Sequence, residues 1–247
     1  MTFELDIKKV LRCGGEEFLL SACLTTEDHS LVLFGPSGSG KTLTLQAIAG
    51  MLTPDEGHIR INGKTLFDAA RGINIPTRHR RVGYVFQNYA LFPHLTVREN
   101  IGFGLKPLLG SLSERSNERV QELMETFGLD KVAEQRPSAL SGGQQQRAAL
   151  ARALAPSPDI LLLDEPFSAL DQPLRIRMRE ELSNTLKLFS IPMILVTHDS
   201  DEVESFAQSV AVYRNGLVES VHSAQDIARS GRDIGETVRL KAAEFYI

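Results

Sequence analysis

Several short stretches hold residues whose types and spacing could do chemistry. "GPSGSGKT", Gly35 to Thr42, fits the pattern G-x-x-x-x-G-K-[ST]. Gly35, Gly38 and Gly40, set among Pro36, Ser37 and Ser39, let backbone N–H groups turn inward around phosphate oxygens. A helix starting at Lys41 adds its positive dipole end. Lys41 can then reach β- and γ-phosphates, and the Thr42 hydroxyl can ligate Mg²⁺. "DILLLDEP" places Asp164 and Glu165 at the end of an apolar strand, where α/β sheets put their ligands. Asp164 suits a hold on Mg²⁺ through water. Glu165, pointing the other way on an extended chain, suits a general base or water-positioner. Alone, such an acidic pair is more often a turn or helix cap; a phosphate loop in the same chain reverses that preference.

Two further strand ends carry polar groups. His198 closes the apolar run in "ILVTHDS" and suits a γ-phosphate contact, against the alternative of a packed or solvated imidazole. Gln87 closes "RRVGYVFQ", and its amide could reach the metal or the attacking water, or be an ordinary surface glutamine. A different stretch, "LSGGQQQRAALARAL", looks like a second phosphate cradle without a lysine. Ser141 suits a helix cap, which a plain capped helix would explain. The adjacent Gly142 and Gly143 cost helix stability and suggest close backbone approach instead.

These residues need a sheet and helices to hold them. Strands are expected at Phe3–Ile7, Phe18–Cys23 and Ser30–Phe34, then a helix over Thr42–Ala49 closed by Gly50. "GHIRINGKTLF" reads as a hairpin turning at Asn62-Gly63. In Glu114–Phe127, Val120, Leu123, Met124 and Phe127 share one helical stripe, with Gly128 as the stop. A helix from about Pro173 to Phe189 has Met178, Leu182, Leu186 and Phe189 on one side, and "IPMILVTHD" is one more buried strand. The alternation predicts an α/β fold with a mostly parallel sheet and a helical insert between roughly Asn88 and Gln135.

Composition narrows the class. The 247 residues are 42% apolar and 23% charged, enough for one large domain with a sizeable core. A formal net charge of −4 argues against a nucleic-acid coat. Cys13 and Cys23 match no metal spacing and read as a reduced pair. "MTFELDIKKV" lacks the apolar run of a signal peptide, and no apolar run is long enough to span a bilayer. Work at a membrane would need another chain to do the crossing.

Taken in order, the stretches resemble the ATP-binding subunits of ABC transporters over nearly the whole chain. They match the Walker A loop "GPSGSGKT", the Q-loop "VFQ", the signature "LSGGQ", the Walker B strand "ILLLDEP", the D-loop "SALD" and the H-loop "THD". The resemblance implies a P-loop NTPase: a RecA-like core over about 1–87 and 153–247, an antiparallel β subdomain, and an ABC-specific helical subdomain over about 88–152. It implies ATP and Mg²⁺, with Thr42, Gln87 and Asp164 at the metal and Glu165, His198 and Gln87 at the chemistry. It also implies a head-to-tail homodimer in which Ser141, Gly142, Gly143 and Gln144 face the nucleotide of the other copy, and Asp171 communicates across the interface. The incomplete cradle needs no lysine if the partner's loop supplies one.

Further expectations follow from the same likeness. The protein would sit peripherally on the cytoplasmic face of the cell membrane, docked on permease subunits and served indirectly by a solute-binding protein, with no nucleic acid. Phe92, Leu95 and Phe103 are candidates for the permease contact or for core. "FPHLTVRENIGFGL" looks like importer ATPases, and the longer passage from "LFDAARGINIP" through "RRVGYVFQNYALFPHLTVRENI" is similar to molybdate-type importers. That implies molybdate or tungstate as cargo, with sulfate, ferric iron and sugar importers sharing parts of the passage. Two departures from the wider family stand out. Many members stack adenine on an aromatic some 25 residues before the Walker lysine, whereas "KKVLRCGGEE" has none, leaving Val10, Leu11 or Arg12 to cover the base. The chain also stops soon after "ETVRLKAAEFYI", so direct regulation by bound oxyanion is not expected.

Overall fold

A computed structural model describes residues 2–107, 110–168, 170–229, 234–235 and 237–239. In chain order the elements are β1 (Phe3–Cys13), β2 (Glu16–Thr26), β3 (Ser30–Phe34), α1 (Lys41–Ala49), β4 (Glu56–Ile61), β5 (Lys64–Asp68) and β6 (Ile73–Asn74). Next come β7 (Val82–Val85), α2 (Val97–Gly102), α3 (Glu114–Thr126), α4 (Gly142–Leu154), β8 (Ile160–Asp164) and α5 (Gln172–Phe189). The remaining elements are β9 (Met193–Thr197), α6 (Ser200–Phe206), β10 (Ser209–Arg214), β11 (Leu217–Ser223) and α7 (Ala224–Arg229). Most of the stretch "ETVRLKAAEFYI" lies outside the described residues. The described chain divides into two compact units: residues 1–80 with 185–247, and residues 81–184.

In the first unit the strands lie in the order β6-β5-β4-β1-β2-β11-β10-β3-β9. One side of this sheet is antiparallel: β1 pairs with both β2 and β4, and β4 with β5. The other is parallel, β10 with β3 and β3 with β9. Side-chain alternation explains the antiparallel part. Phe3, Leu5 and Ile7 of β1 and Leu20, Ala22 and Leu24 of β2 are buried, while the residues between them point outward. Strands β3 and β9 are apolar and buried almost throughout, as parallel strands covered on both faces must be. Strand β1 runs past the expected Ile7 to Cys13, because Gly14 and Gly15 (φ 60° and 90°) close a tight turn that registers Cys13 against Glu16. A second hairpin, β10 to β11, turns at Asn215-Gly216 (φ 48° and 82°). The Cys23 thiol is free and exposed.

In the second unit β7 and β8 pair in parallel, Val82 against Ile160 through Val85 against Leu163. Helix α3 buries Val120, Leu123 and Met124, the stripe expected from spacing, and Gly128 (φ 60°) follows it. On α5, Met178 and Leu182 are buried while Leu186 and Phe189 are only half-buried. Thr96 caps α2 and makes a reciprocal capping box with Glu99. Strand β7 ends at Val85, before Gln87, because the following backbone leaves the extended region: Tyr89 and Ala90 stand at φ 61° and 44°.

Candidate functional site: a phosphate loop and an acidic strand end

The phosphate loop belongs to the first unit. Strand β3 delivers the chain at Phe34, and α1 starts at Lys41 with Gly40 as its N-cap. Gly38 and Gly40 stand at φ 79° and 102°, where an L side chain would be strained. No side chain caps α1, and its first turn carries no acid. Its N-terminal amides therefore form a ready anion site. Lys41 is buried, and its ammonium donates to the carbonyls of Gly35 and Pro36, both at 2.7 Å. The loop's own backbone thus holds a charge that a polyphosphate would neutralise, so these residues fit the triphosphate of a nucleotide. Gly35 packs so closely that a Cβ there would lie 2.3 Å from the Tyr213 carbonyl oxygen. The other face of α1 buries Thr44, whose hydroxyl donates to Gly40 O and accepts from Tyr213 Oη.

The C-terminal end of α1 is secured by a residue that spacing did not single out. Arg80 is 2% exposed; it donates through Nη1 to Ala47 O at 2.7 Å and Ile48 O at 2.8 Å. Its Nε reaches Ile75 O at 2.7 Å and its Nη2 reaches Asn74 Oδ1 at 2.9 Å. The fork satisfies carbonyls at the helix end, where the macrodipole favours a cation. Burial draws the Arg80 pKa down from its ordinary value. In the same unit His198, the residue after β9, is exposed, and the following Asp199 caps α6.

The acidic strand end belongs to the second unit. Asp164 closes β8, is 6% exposed, and accepts from the Tyr84 hydroxyl at 3.0 Å. Burial, and then the Asp164 carboxylate, push the Tyr84 pKa well above its usual value, so Tyr84 stays a donor to that carboxylate. Glu165 differs from expectation. It does not continue an extended chain but stands at φ 44°, so the alternation of a strand does not aim its side chain. Its carbonyl fixes the turn, accepting from Ser168 N at 3.2 Å and Ser168 Oγ at 2.9 Å. Gln87 is exposed, and its Nε2 donates to the same Ser168 Oγ at 3.2 Å. One serine therefore links the Gln87 amide with the turn that carries Glu165.

The signature stretch also belongs to this unit. Ser141 and Gln144 form a capping box: Ser141 Oγ accepts from Gln144 N at 3.3 Å and Gln144 Oε1 from Ser141 N at 2.9 Å. Ser141 is exposed, whereas Gly143 is buried where a Cβ would meet Met178 Sδ at 3.2 Å. The second glycine thus has a packing reason beside any phosphate reason. Asp171 caps α5 by accepting from Leu174 N at 3.0 Å. Near the other end of α4, Arg152 donates to Tyr89 O at 2.8 Å and Ala90 O at 2.7 Å, and lies 5.4 Å from the Phe92 ring centroid. It fastens two consecutive left-handed residues, each costing of order 1–2 kcal/mol in backbone strain. Tyr89 adds a hydrogen bond from its buried hydroxyl to Pro166 O at 3.3 Å, and burial pushes its pKa up to about 12. The one sequence signal for Arg152 is a lone cation in the last turn of an alanine-rich helix. The Phe92 and Phe103 rings meet tilted by 39° with centroids 4.2 Å apart, and Phe103 is half exposed.

Residues 23–168 match the family model described as ABC transporter. The chain belongs to the ABC transporter family. Its fold is that family's ATPase cassette, a P-loop NTPase with a mixed sheet and a helical subdomain. A dimeric post-hydrolysis structure of the ATP-binding cassette MJ0796, bound to ADP and Pi, superposes with TM-score 0.74 at 30% identity, covering 90% of this chain and 98% of that one. Among curated relatives, the Fe(3+) ions import ATP-binding protein FbpC 2 of Pectobacterium atrosepticum is 44% identical over 96% of this chain and 70% of its own length. The molybdenum import ATP-binding protein ModC of Paramagnetospirillum magneticum is 42% identical over 87% of this chain and 57% of its own length. The chain spans little more than half the length of several curated relatives it matches. Relatives are named for import of Fe(3+) ions, molybdenum, spermidine/putrescine and sulfate/thiosulfate, so no single cargo is singled out. No helix among the described residues is long and apolar enough to cross a membrane.

Proposed function

We propose that this chain is the ATP-hydrolysing subunit of an importer and couples nucleotide-driven dimer closure to solute uptake through a separate permease. The observation that carries this reading is the phosphate loop with buried Lys41 at the uncapped N-terminus of α1. The family and the names of its import relatives support it. In this reading Lys41 and the loop amides hold the β- and γ-phosphates, and Thr42, Gln87 and Asp164 serve Mg²⁺, which shields phosphate charge. Glu165 takes the proton of the attacking water, and His198 contacts the γ-phosphate. Residues Ser141 to Gln144 complete the site of a second copy arranged head to tail, with Asp171 at that interface. The protein then works at the cytoplasmic side of a membrane because its permease is there.

Ser141→Arg tests the shared site. A bulky cation where a partner's phosphate must approach lowers phosphate release by about 100-fold or more, while ATP binding to the isolated chain changes little. Normal hydrolysis by this variant would remove the signature from the neighbour's site.

For cargo, the molybdate-type passage around "RRVGYVFQ" supports molybdate or tungstate. A second reading, ferric iron, is favoured by relatives named for Fe(3+) import at 44–50% identity. The complex purified with its permease and binding protein, assayed for phosphate release with molybdate, tungstate, sulfate and ferric iron, separates them. Stimulation by molybdate or tungstate alone supports the first reading. Stimulation by iron alone replaces it with the second. Absence of any membrane partner would sink the transport role.

A further inference from the structure

The β10–β11 hairpin lies outside all the motif stretches of the sequence, yet it reaches the phosphate loop at three residues. The Tyr213 carbonyl lies against Gly35, where a Cβ would come within 2.3 Å of its oxygen. Gly216 N donates to Ser39 O at 3.1 Å. The Tyr213 hydroxyl donates to Thr44 Oγ1 at 3.2 Å, and Thr44 Oγ1 donates to Gly40 O, also at 3.2 Å. Tyr213 and Thr44 are both fully buried. Burial raises the Tyr213 pKa well above its ordinary value, so the phenol remains a donor. The single threonine proton is spent on Gly40 O, which sets the direction of the relay: phenol to threonine to glycine carbonyl.

A buried tyrosine needs a partner for its hydroxyl in any fold, and a threonine bonding the carbonyl four residues back is common inside helices. What is particular here is where the bonds lead. The loop peptides are trans, so each carbonyl and the following N–H point to opposite sides. Ser39 O is drawn towards Gly216, which turns the Gly40 N–H away from the hairpin. Gly40 O is drawn towards Thr44 by its amide at 3.0 Å as well as its hydroxyl, which turns the Lys41 N–H out past the start of α1. Gly40 is left-handed (φ 102°) and Lys41 opens the helix, and successive N–H groups in that alternation form an anion-binding concavity. The hairpin is itself fixed. Ser21 N donates to Gly216 O at 2.7 Å, and a Cβ on Gly216 would lie 2.0 Å from Leu19 O.

We propose that Tyr213 is a positioning residue for the phosphate site. Its hydroxyl, relayed through Thr44, and the Gly216 amide brace two consecutive peptide planes from behind, so that the Gly40 and Lys41 amides face the phosphates before nucleotide arrives. The inference rests on the nucleotide reading above and deepens it. Hydrogen bonds in a chain polarise one another, and a loop already held in its bound shape gives up less freedom on binding. The brace acts on the phosphates and not on the base.

Calorimetric titration of the intact chain, with ATP and separately with inorganic tripolyphosphate, tests this directly. Tyr213→Phe removes one oxygen and keeps the ring; it is expected to weaken both ligands by about fivefold, the worth of one hydrogen bond. Thr44→Val, which cuts the relay in the middle, is expected to weaken both by at least as much. Thr44→Ser keeps the hydroxyl and should recover the wild-type affinity. Adding Tyr213→Phe to Thr44→Val should cost less than about twofold more, because the relay is already cut. Unchanged affinity in Tyr213→Phe overturns the brace, even with a lowered urea midpoint, since a tyrosine serving packing alone would behave that way. A further loss in the double variant as large as the first overturns it too, and so does a loss confined to ATP. If Thr44→Val does not fold, Tyr213→Phe decides by the same two titrations. Wild type binding neither ligand would instead bring down the nucleotide reading itself.

Discussion

Glu165→Gln is expected to lower steady-state phosphate release by about 10²- to 10⁴-fold while leaving ATP binding nearly intact. The amide has the carboxylate's shape but cannot accept a proton from water. The local fold tolerates the exchange for a specific reason. The left-handed turn at Glu165 (φ 44°) is fixed through its carbonyl oxygen, which accepts from the Ser168 amide and hydroxyl. Glutamine keeps that carbonyl. The Tyr84 hydroxyl donates to Asp164 at 3.0 Å, a contact the exchange at position 165 does not touch. The loss should therefore fall on the chemical step, seen as slow phosphate release with unchanged nucleotide affinity. Because bound ATP is proposed to close a dimer and the variant keeps its ATP unhydrolysed, it should also accumulate as an ATP-bound dimer on size-exclusion chromatography. Equal rates in the two proteins would take the proton-accepting role away from Glu165.

Arg80→Ala is expected to destabilise the protein by about 3 kcal/mol or more, read as a shifted midpoint in urea unfolding. The guanidinium is 2% exposed and spends its donors on four acceptors at 2.7–2.9 Å. Truncation leaves the buried carbonyls of Ala47 and Ile48 and the half-buried carbonyl of Ile75 without that donor, and opens a cavity behind α1. A Cβ on Gly50 would lie 2.5 Å from Arg80 Nε, so the helix end and the side chain are packed to contact. Arg80→Lys should recover less than half of the loss, because an ammonium restores charge but not the planar fork. Since α1 carries Lys41 at its other end, the weakened anchor should also loosen the phosphate loop. A loss under about 1 kcal/mol would show that water replaces the arginine at little cost.

Much of the site was legible in the chain because its chemistry is local. The phosphate loop needs glycines, a lysine and a helix start within a few residues, and all of these are contiguous from Gly35 to Thr42. The capping box from Ser141 to Gln144 spans four residues, and the apolar strands β3, β8 and β9 declare their burial by composition. Two turns were also readable in principle: Gly14-Gly15 and Asn215-Gly216 are hairpin dipeptides, and they decide how far β1 runs and where β11 starts.

What the sequence by itself determined is therefore the list of chemical groups, their order and the family of the fold. Tertiary structure decided which distant groups hold them. Arg80 reaches Ala47 across 33 positions, and Arg152 reaches Tyr89 across 63. Tyr84 meets Asp164 only because β7 and β8 pair in parallel, with Tyr84 set against Leu162. The Tyr89–Ala90 pair leaves the extended region where remote Arg152 donates to its carbonyls, whereas Glu165 does so within a turn closed locally by Ser168, three residues on. Propensity and spacing act over a few residues, whereas a guanidinium on one element satisfying carbonyls on another becomes visible only once the chain has folded.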